Sequence, residues 1–204
     1  MSGTIIFTSS RATPATTSMR HGVKTYPPLS ARNSPDNFEH TWQNGDQPLE
    51  SCLPMNLVIE VDQSVKIEDT RRDSILAFSD HLSGAIRVPA RVKRECLQVL
   101  RGKGHRGRAN IIQIFAIALF VLLRQHLSRI DRIVVDSEYP GHEADIKAAF
   151  MRLVYKSGAA FDADRLTFHA IGKKSRAHFV AYGVHLDRIQ ADRVLTLDDI
   201  IRWV

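Results

Sequence analysis

Cysteine is almost missing from this 204-residue chain, which has only Cys52 and Cys96. The two stand far apart and form no CxxC pair, which excludes a disulfide-stapled scaffold, argues against a structural zinc site, and fits a reducing, cytoplasmic setting. Long hydrophobic runs are missing too. The longest, residues 111–123, is interrupted by Gln113 and falls short of the roughly 20 residues that cross a bilayer. It reads as a fully buried helix, and no membrane partner is expected. There is no Walker A pattern, no GxGxxG after a strand and no GxSxG, so nucleotide-cofactor and α/β-hydrolase chemistry has no motif to stand on. His142, His169, His178 and His185 form no HxxxH pair, and their spacing does not suit zinc.

What the chain does contain is ordinary for one soluble domain, 44% apolar and 25% charged residues. Its length allows a core without staples. The net charge of +6 divides unevenly. Residues 1–54 carry four Lys/Arg against four acids, and residues 55–204 carry 24 against 18. Residues 1–54 are rich in Ser, Thr, Pro and Asn and show no hydrophobic period. They are expected to form a flexible, disordered leader. A targeting segment and an over-called start, with Met55 just before the first strand, are the other readings.

Residues 55–204 are expected to form a single α/β domain. Residues 57–62 (LVIEVD) read as a strand with Asp62 at its tip, followed by strands at 74–79 and 85–88 around a hairpin connection. Pro89 suits the first turn of a helix that places Val92, Cys96, Val99 and Leu100 on one face and ends at Gly102. A second helix spans about 109–127. Residues 130–136 (IDRIVVD) form a strand with a near-continuous apolar tail, as in a sheet covered on both faces. Helix 142–156, strand 166–171 and helix 175–186 follow. A short strand at 193–195 leads to a last turn opened by a Thr196–Asp199 capping box.

Three strands able to pair as an antiparallel meander, then helix, helix, strand, helix, strand, helix, resemble the RNase H-like nuclease superfamily over about residues 57–187. The implied fold is an RNase H-like mixed α/β sheet with an extra helix in the first crossover. Members carry acids on the first strand, the first helix and the end of the fourth strand, and an acid or His on the last helix. The matching positions here are Asp62, Glu95, Asp136 and His178, which the resemblance implies as the catalytic set. The stretch Asp62-Gln63-Ser64-Val65 is similar to the Asp-x-Ser-Gly opening of uncharacterised members, with Val65 where those have glycine.

Elementary electrostatics gives such acids a purpose. Phosphodiester hydrolysis needs an ionised water and neutralisation of the leaving oxygen, and paired Mg²⁺ or Mn²⁺ ions held by hard oxygen ligands supply both. Adjacent strands lie about 4.8 Å apart, so Asp62 and Asp136 can share an ion if their strands are neighbours. Glu138 joins them as a further ligand, and Asp62, Asp136, Glu138 and His178 are the candidate metal set. Each has a plainer reading, as a turn or cap residue for the Asp side chains, a surface ion pair for Glu95 and a core histidine for His178. His142 and Glu143 open a helix, either as a proton shuttle or outer ligand near the metals or, for Glu143 and Asp145, as partners of the helix dipole.

The densest charge lies at 87–108, where eight Lys/Arg face only Glu95. Within it the glycine-rich stretch Arg101, Lys103, His105, Arg106 and Arg108 is expected to grip a polyanion, with backbone N–H groups close to phosphate. Lys173, Lys174 and Arg176 form a second basic knot at a helix start, where cations oppose the dipole and an anion relieves them. The expected function is a metal-dependent nuclease or strand-processing enzyme acting on DNA or RNA. The alternatives are a catalytically inactive nucleic-acid-binding module of the same fold, and an oligomer formed through helix 111–123.

Overall fold

The computed structural model describes residues 57–104 and 107–204. The leader, Cys52, His105 and Arg106 lie outside the described residues. The elements run β1 Leu57–Ser64, β2 Ser74–Ser79, β3 Ser83–Val88, α1 Ala90–Gly102, α2 Arg108–Leu123, β4 Ile130–Asp136, α3 Glu143–Lys156, a 3-10 turn Ala163–Arg165, β5 Leu166–His169, α4 Arg176–His185, β6 Arg193–Val194 and α5 Leu197–Ile201. The class is α/β, with a mixed six-stranded sheet ordered β5-β4-β1-β2-β3-β6. β1, β2 and β3 form an antiparallel meander. β4 pairs parallel to the free edge of β1, and β5 parallel to β4.

Strand alternation divides the molecule into two unequal layers. Leu57, Ile59 and Val61 of β1, with Leu76, Phe78, Ile133 and Val135, point into a large core shared with α1, α2, α3 and α5. The opposite face is covered by α4, whose Ala181 and Val184 pack on Ile75, Ala77 and Ala85 in a much smaller cluster. The short side chains there let α4 lie close to the sheet. That closeness brings its N-terminal half to the odd-one-out polar residues of β1, Glu60 and Asp62.

Of the 16 residues of α2, 13 are buried within this chain, so the surface that an oligomer through residues 111–123 requires is consumed by the protein's own core. Phe120 illustrates the packing, with its ring edge-on to Trp203 at 4.8 Å and to Phe150 at 6.2 Å. Truncation to alanine there is expected to cost about 3–5 kcal/mol.

Differences from the expected elements are local. α2 stops at Leu123 instead of 127, because the chain breaks into successive turns that still insert Leu127, 2% exposed, beneath the start of β4. β5 ends at His169, since the backbone N–H of Ile171 leaves the sheet to donate to Asp136 Oδ1. On α1, Leu97 takes the inward place expected of Val99, and Lys93 is fully buried beside it. β1 runs two residues past Asp62, which therefore lies inside the strand and not at its tip. Among the described residues, no helix is long and apolar enough to cross a membrane.

Candidate metal centre

β1 and β4 are adjacent, with Val61 opposite Val135. The next residue on each strand is an aspartate, so Asp62 and Asp136 emerge side by side from the face that α4 covers. Glu138 follows two residues beyond Asp136, where the backbone turns back and its N–H donates to the Asp136 carbonyl at 2.8 Å. One carboxylate oxygen from each of Asp62, Asp136 and Glu138 lies within 4.8 Å of the others. Asp62 is 5% exposed, while Asp136 and Glu138 are half-buried.

Each carboxylate is held from outside the trio. The ring of His178, on α4, places Nδ1 3.1 Å from Asp62 Oδ2. One helical turn earlier the Ser175 hydroxyl, which caps α4, donates to Glu60 Oε2 at 2.6 Å. These two contacts dock α4 on β1 and set the His178 ring. Ile171 N–H fixes Asp136 at 3.0 Å. The Lys66 ammonium donates to the Glu138 carbonyl at 2.8 Å and sits 3.5 Å from its carboxylate.

Burial pushes the Asp62 carboxyl above its ordinary range; the hydrogen-bonded His178 pulls against that and the Asp136 charge adds to it. Burial likewise raises Glu138, opposed by Lys66 and reinforced by Asp136 and Asp62. Three hard oxygen donors at this spacing could hold a divalent cation such as Mg²⁺ or Mn²⁺.

The remaining expected site residues distribute differently. The Glu95 carboxylate pairs with Arg91 on the same helix at 2.7 Å and is not one of the clustered donors. The cause is the rotation of α1, which turns Val92, Lys93, Cys96 and Leu97 inward and leaves Glu95 at the margin. His178 is hydrogen-bonded to Asp62 without joining the clustered donors. His142 pairs with Asp145 at 3.0 Å on its own helix. It borders a cleft of about 400 Å³ between α2 and α3 that none of the trio lines.

The basic stretch 87–108 is largely spoken for. Arg87 pairs with Asp73 at 3.3 Å and Asp187 at 2.5 Å. Arg94 donates to the Thr70 carbonyl at 2.6 Å, and Arg108 pairs with Glu68. The Lys93 ammonium donates to Ser74 Oγ and the Asp69 carbonyl, both at 2.7 Å, and to the Lys66 carbonyl at 3.3 Å. Arg101 and Lys103 are exposed at the end of α1. Lys173 and Lys174 are exposed before α4 and make no ion pair among the described residues, and Arg176 reaches the Asp80 carbonyl at 3.4 Å.

Two features of the site were not anticipated from sequence. Lys66 is one; its only signal was its place four residues after Asp62. The other is Val65, whose φ of 65° lies in the left-handed region that glycine enters without cost and a β-branched residue does not. No family model, curated protein or solved structure matches this chain.

Proposed function

We propose that this protein is a metal-dependent nuclease or strand-processing enzyme of the RNase H-like type, hydrolysing phosphodiesters with Mg²⁺ or Mn²⁺. The observation that carries this reading is the convergence of Asp62, Asp136 and Glu138 oxygens within 4.8 Å. Further support comes from the topology, an antiparallel meander with β4 and β5 added parallel beyond β1. The positive φ at Val65, in the slot where the resembling Asp-x-Ser-Gly opening has glycine, supports it too.

In this reading Asp62, Asp136 and Glu138 hold the metal. A bound divalent cation supplies charge neutralisation and a water acidified toward neutral pH. His178 acts as a positioning residue, fixing the Asp62 carboxylate. The exposed Lys173 and Lys174 bind substrate phosphate. Because burial and repulsion raise Asp62 and Glu138, protons compete with metal above the ordinary carboxylate range. Metal affinity therefore rises with pH through that range.

The test is cleavage of single-stranded, duplex, hybrid and junction substrates with Mg²⁺, Mn²⁺ or EDTA, alongside Mn²⁺ binding by calorimetry. Activity that EDTA abolishes, and that Asp62→Asn with Asp136→Asn removes together with Mn²⁺ binding, supports the proposal. EDTA-resistant activity, or a double variant that still cleaves, overturns it.

One observation favours the second reading, a binding module without catalysis: the Lys66 ammonium already places a cation against Glu138. Wild-type protein that binds nucleic acid, takes up no Mn²⁺ and cleaves nothing would establish that reading instead.

A further inference from the structure

The outward face of α4 carries aromatic rings that the fold leaves in water. Phe179 is 62% exposed and Tyr182 48%, three residues apart and hence neighbours on the helix surface. They are not remote from the carboxylates. The Tyr182 ring lies parallel to that of His178, at 3° and 6.1 Å between centroids, and His178 is bonded to Asp62. Phe179 flanks the same histidine at 6.2 Å. At the N-terminal end of this helix stand the exposed Lys173 and Lys174, which make no ion pair among the described residues.

Exposed rings on a helix that opens with two exposed ammonium groups call for a ligand with both π-faces and negative charge. A second copy of this face fails that requirement, since residues 173–186 contain no Asp or Glu to meet Lys173 and Lys174. Duplex nucleic acid supplies the charge but keeps its base faces stacked on one another. Unpaired bases offer both.

We propose that Phe179 and Tyr182 form a stacking platform for unpaired nucleobases, with the neighbouring phosphates on Lys173 and Lys174, so that single-stranded nucleic acid is the substrate class presented to Asp62, Asp136 and Glu138. The assignment of substrate rests on the nuclease reading. The binding surface itself does not need catalysis.

The full chain is titrated, in EDTA at low salt, with single-stranded DNA and RNA oligonucleotides carrying 2-aminopurine and with matched duplexes. Binding to single strands with quenching of the 2-aminopurine is expected. Phe179→Ala and Tyr182→Ala should each weaken single-strand binding between about 5-fold and about 100-fold, the range for one stacked base, with duplex binding little changed. Phe179→Trp should restore affinity. Phe179 is largely in water and Tyr182 about half, so circular dichroism of the variants should match wild type. The proposal is overturned by wild type that does not bind single strands, by alanine variants that bind them as wild type does, by equal losses on duplex, or by light scattering in which wild type is a dimer and Phe179→Ala a monomer. Binding without metal separates the two ideas. Cleavage with unaffected Phe179→Ala binding sinks the platform alone, and quenching without any cleavage sinks the nuclease reading alone.

Discussion

The two basic regions of this protein invert between sequence and structure. Residues 87–108 hold eight Lys/Arg against one acid, yet the connection between β1 and β2 supplies partners to four of them, Arg87, Lys93, Arg94 and Arg108. Glu68 meets Arg108, Asp73 meets Arg87 and accepts the Ala90 N–H at the start of α1, and backbone carbonyls take Lys93 and Arg94. Residues 173–176 hold only three cations, all of them exposed, and Lys173 and Lys174 make no ion pair among the described residues. Charge density along the chain therefore misjudges charge density at the surface. What decides is whether a second segment brings acceptors.

The sharpest way to break this contrast is to remove Lys93. Its ammonium satisfies three oxygens in a fully buried place, so Lys93→Ala is expected to cost about 2–4 kcal/mol through lost packing and orphaned acceptors. Burial also pulls the Lys93 pKa down to about 8 from an ordinary 10.5. Between those values the unfolded chain binds the proton and the folded one does not, so stability rises with pH from about 8 to 10.5. Urea denaturation from pH 7 to 10 should show that rise in wild type and a weaker one in Lys93→Ala. Parallel curves would mean that Lys93 is not a desolvated cation, and the stripe would regain one free charge.

A smaller effect separates the two regions by function. If the lysines before α4 meet phosphates and the stripe does not, Lys173→Gln with Lys174→Gln should flatten the plot of log affinity for single strands against log salt by about 1.4, at about 0.7 per phosphate. Arg91→Gln with Arg94→Gln should leave the slope unchanged, because both arginines are already engaged within the chain. Fluorescence anisotropy between about 50 and 200 mM salt measures both. A larger loss in the arginine variant would reverse the comparison.

Why the stripe misled is also why the rest was legible. Strands and helices announced themselves through local apolar periods, and the β1–β4 adjacency needed only the order of elements, so Asp62, Asp136 and Glu138 were found together. The rotation of α1 was not encoded that way. An inward lysine at position 93 and an inward Leu97 break the simple stripe of Val92, Cys96 and Val99, and with it went the expectation for Glu95. Partners more than 20 residues apart, such as Arg94 with Thr70 or Ser175 with Glu60, leave no local trace at all. The exposure of Phe179 and Tyr182 likewise leaves no local trace, because it depends on how α4 lies on the sheet.

The smallest expected effect concerns the turn that makes the contrast. The connection carrying Glu68 and Asp73 leaves β1 through Val65, which holds φ at 65°, where a non-glycine residue costs about 1–2 kcal/mol. Val65→Gly removes that strain but gives the unfolded chain more freedom, worth about 0.5–1 kcal/mol in the opposite sense. The balance is a gain of up to about 1.5 kcal/mol, read as a higher urea midpoint at unchanged slope. A loss of more than about 1 kcal/mol would mean that the half-buried Val65 side chain packs well enough to outweigh its backbone. The turn would then be secured by that packing as well as by the acids it delivers to the stripe.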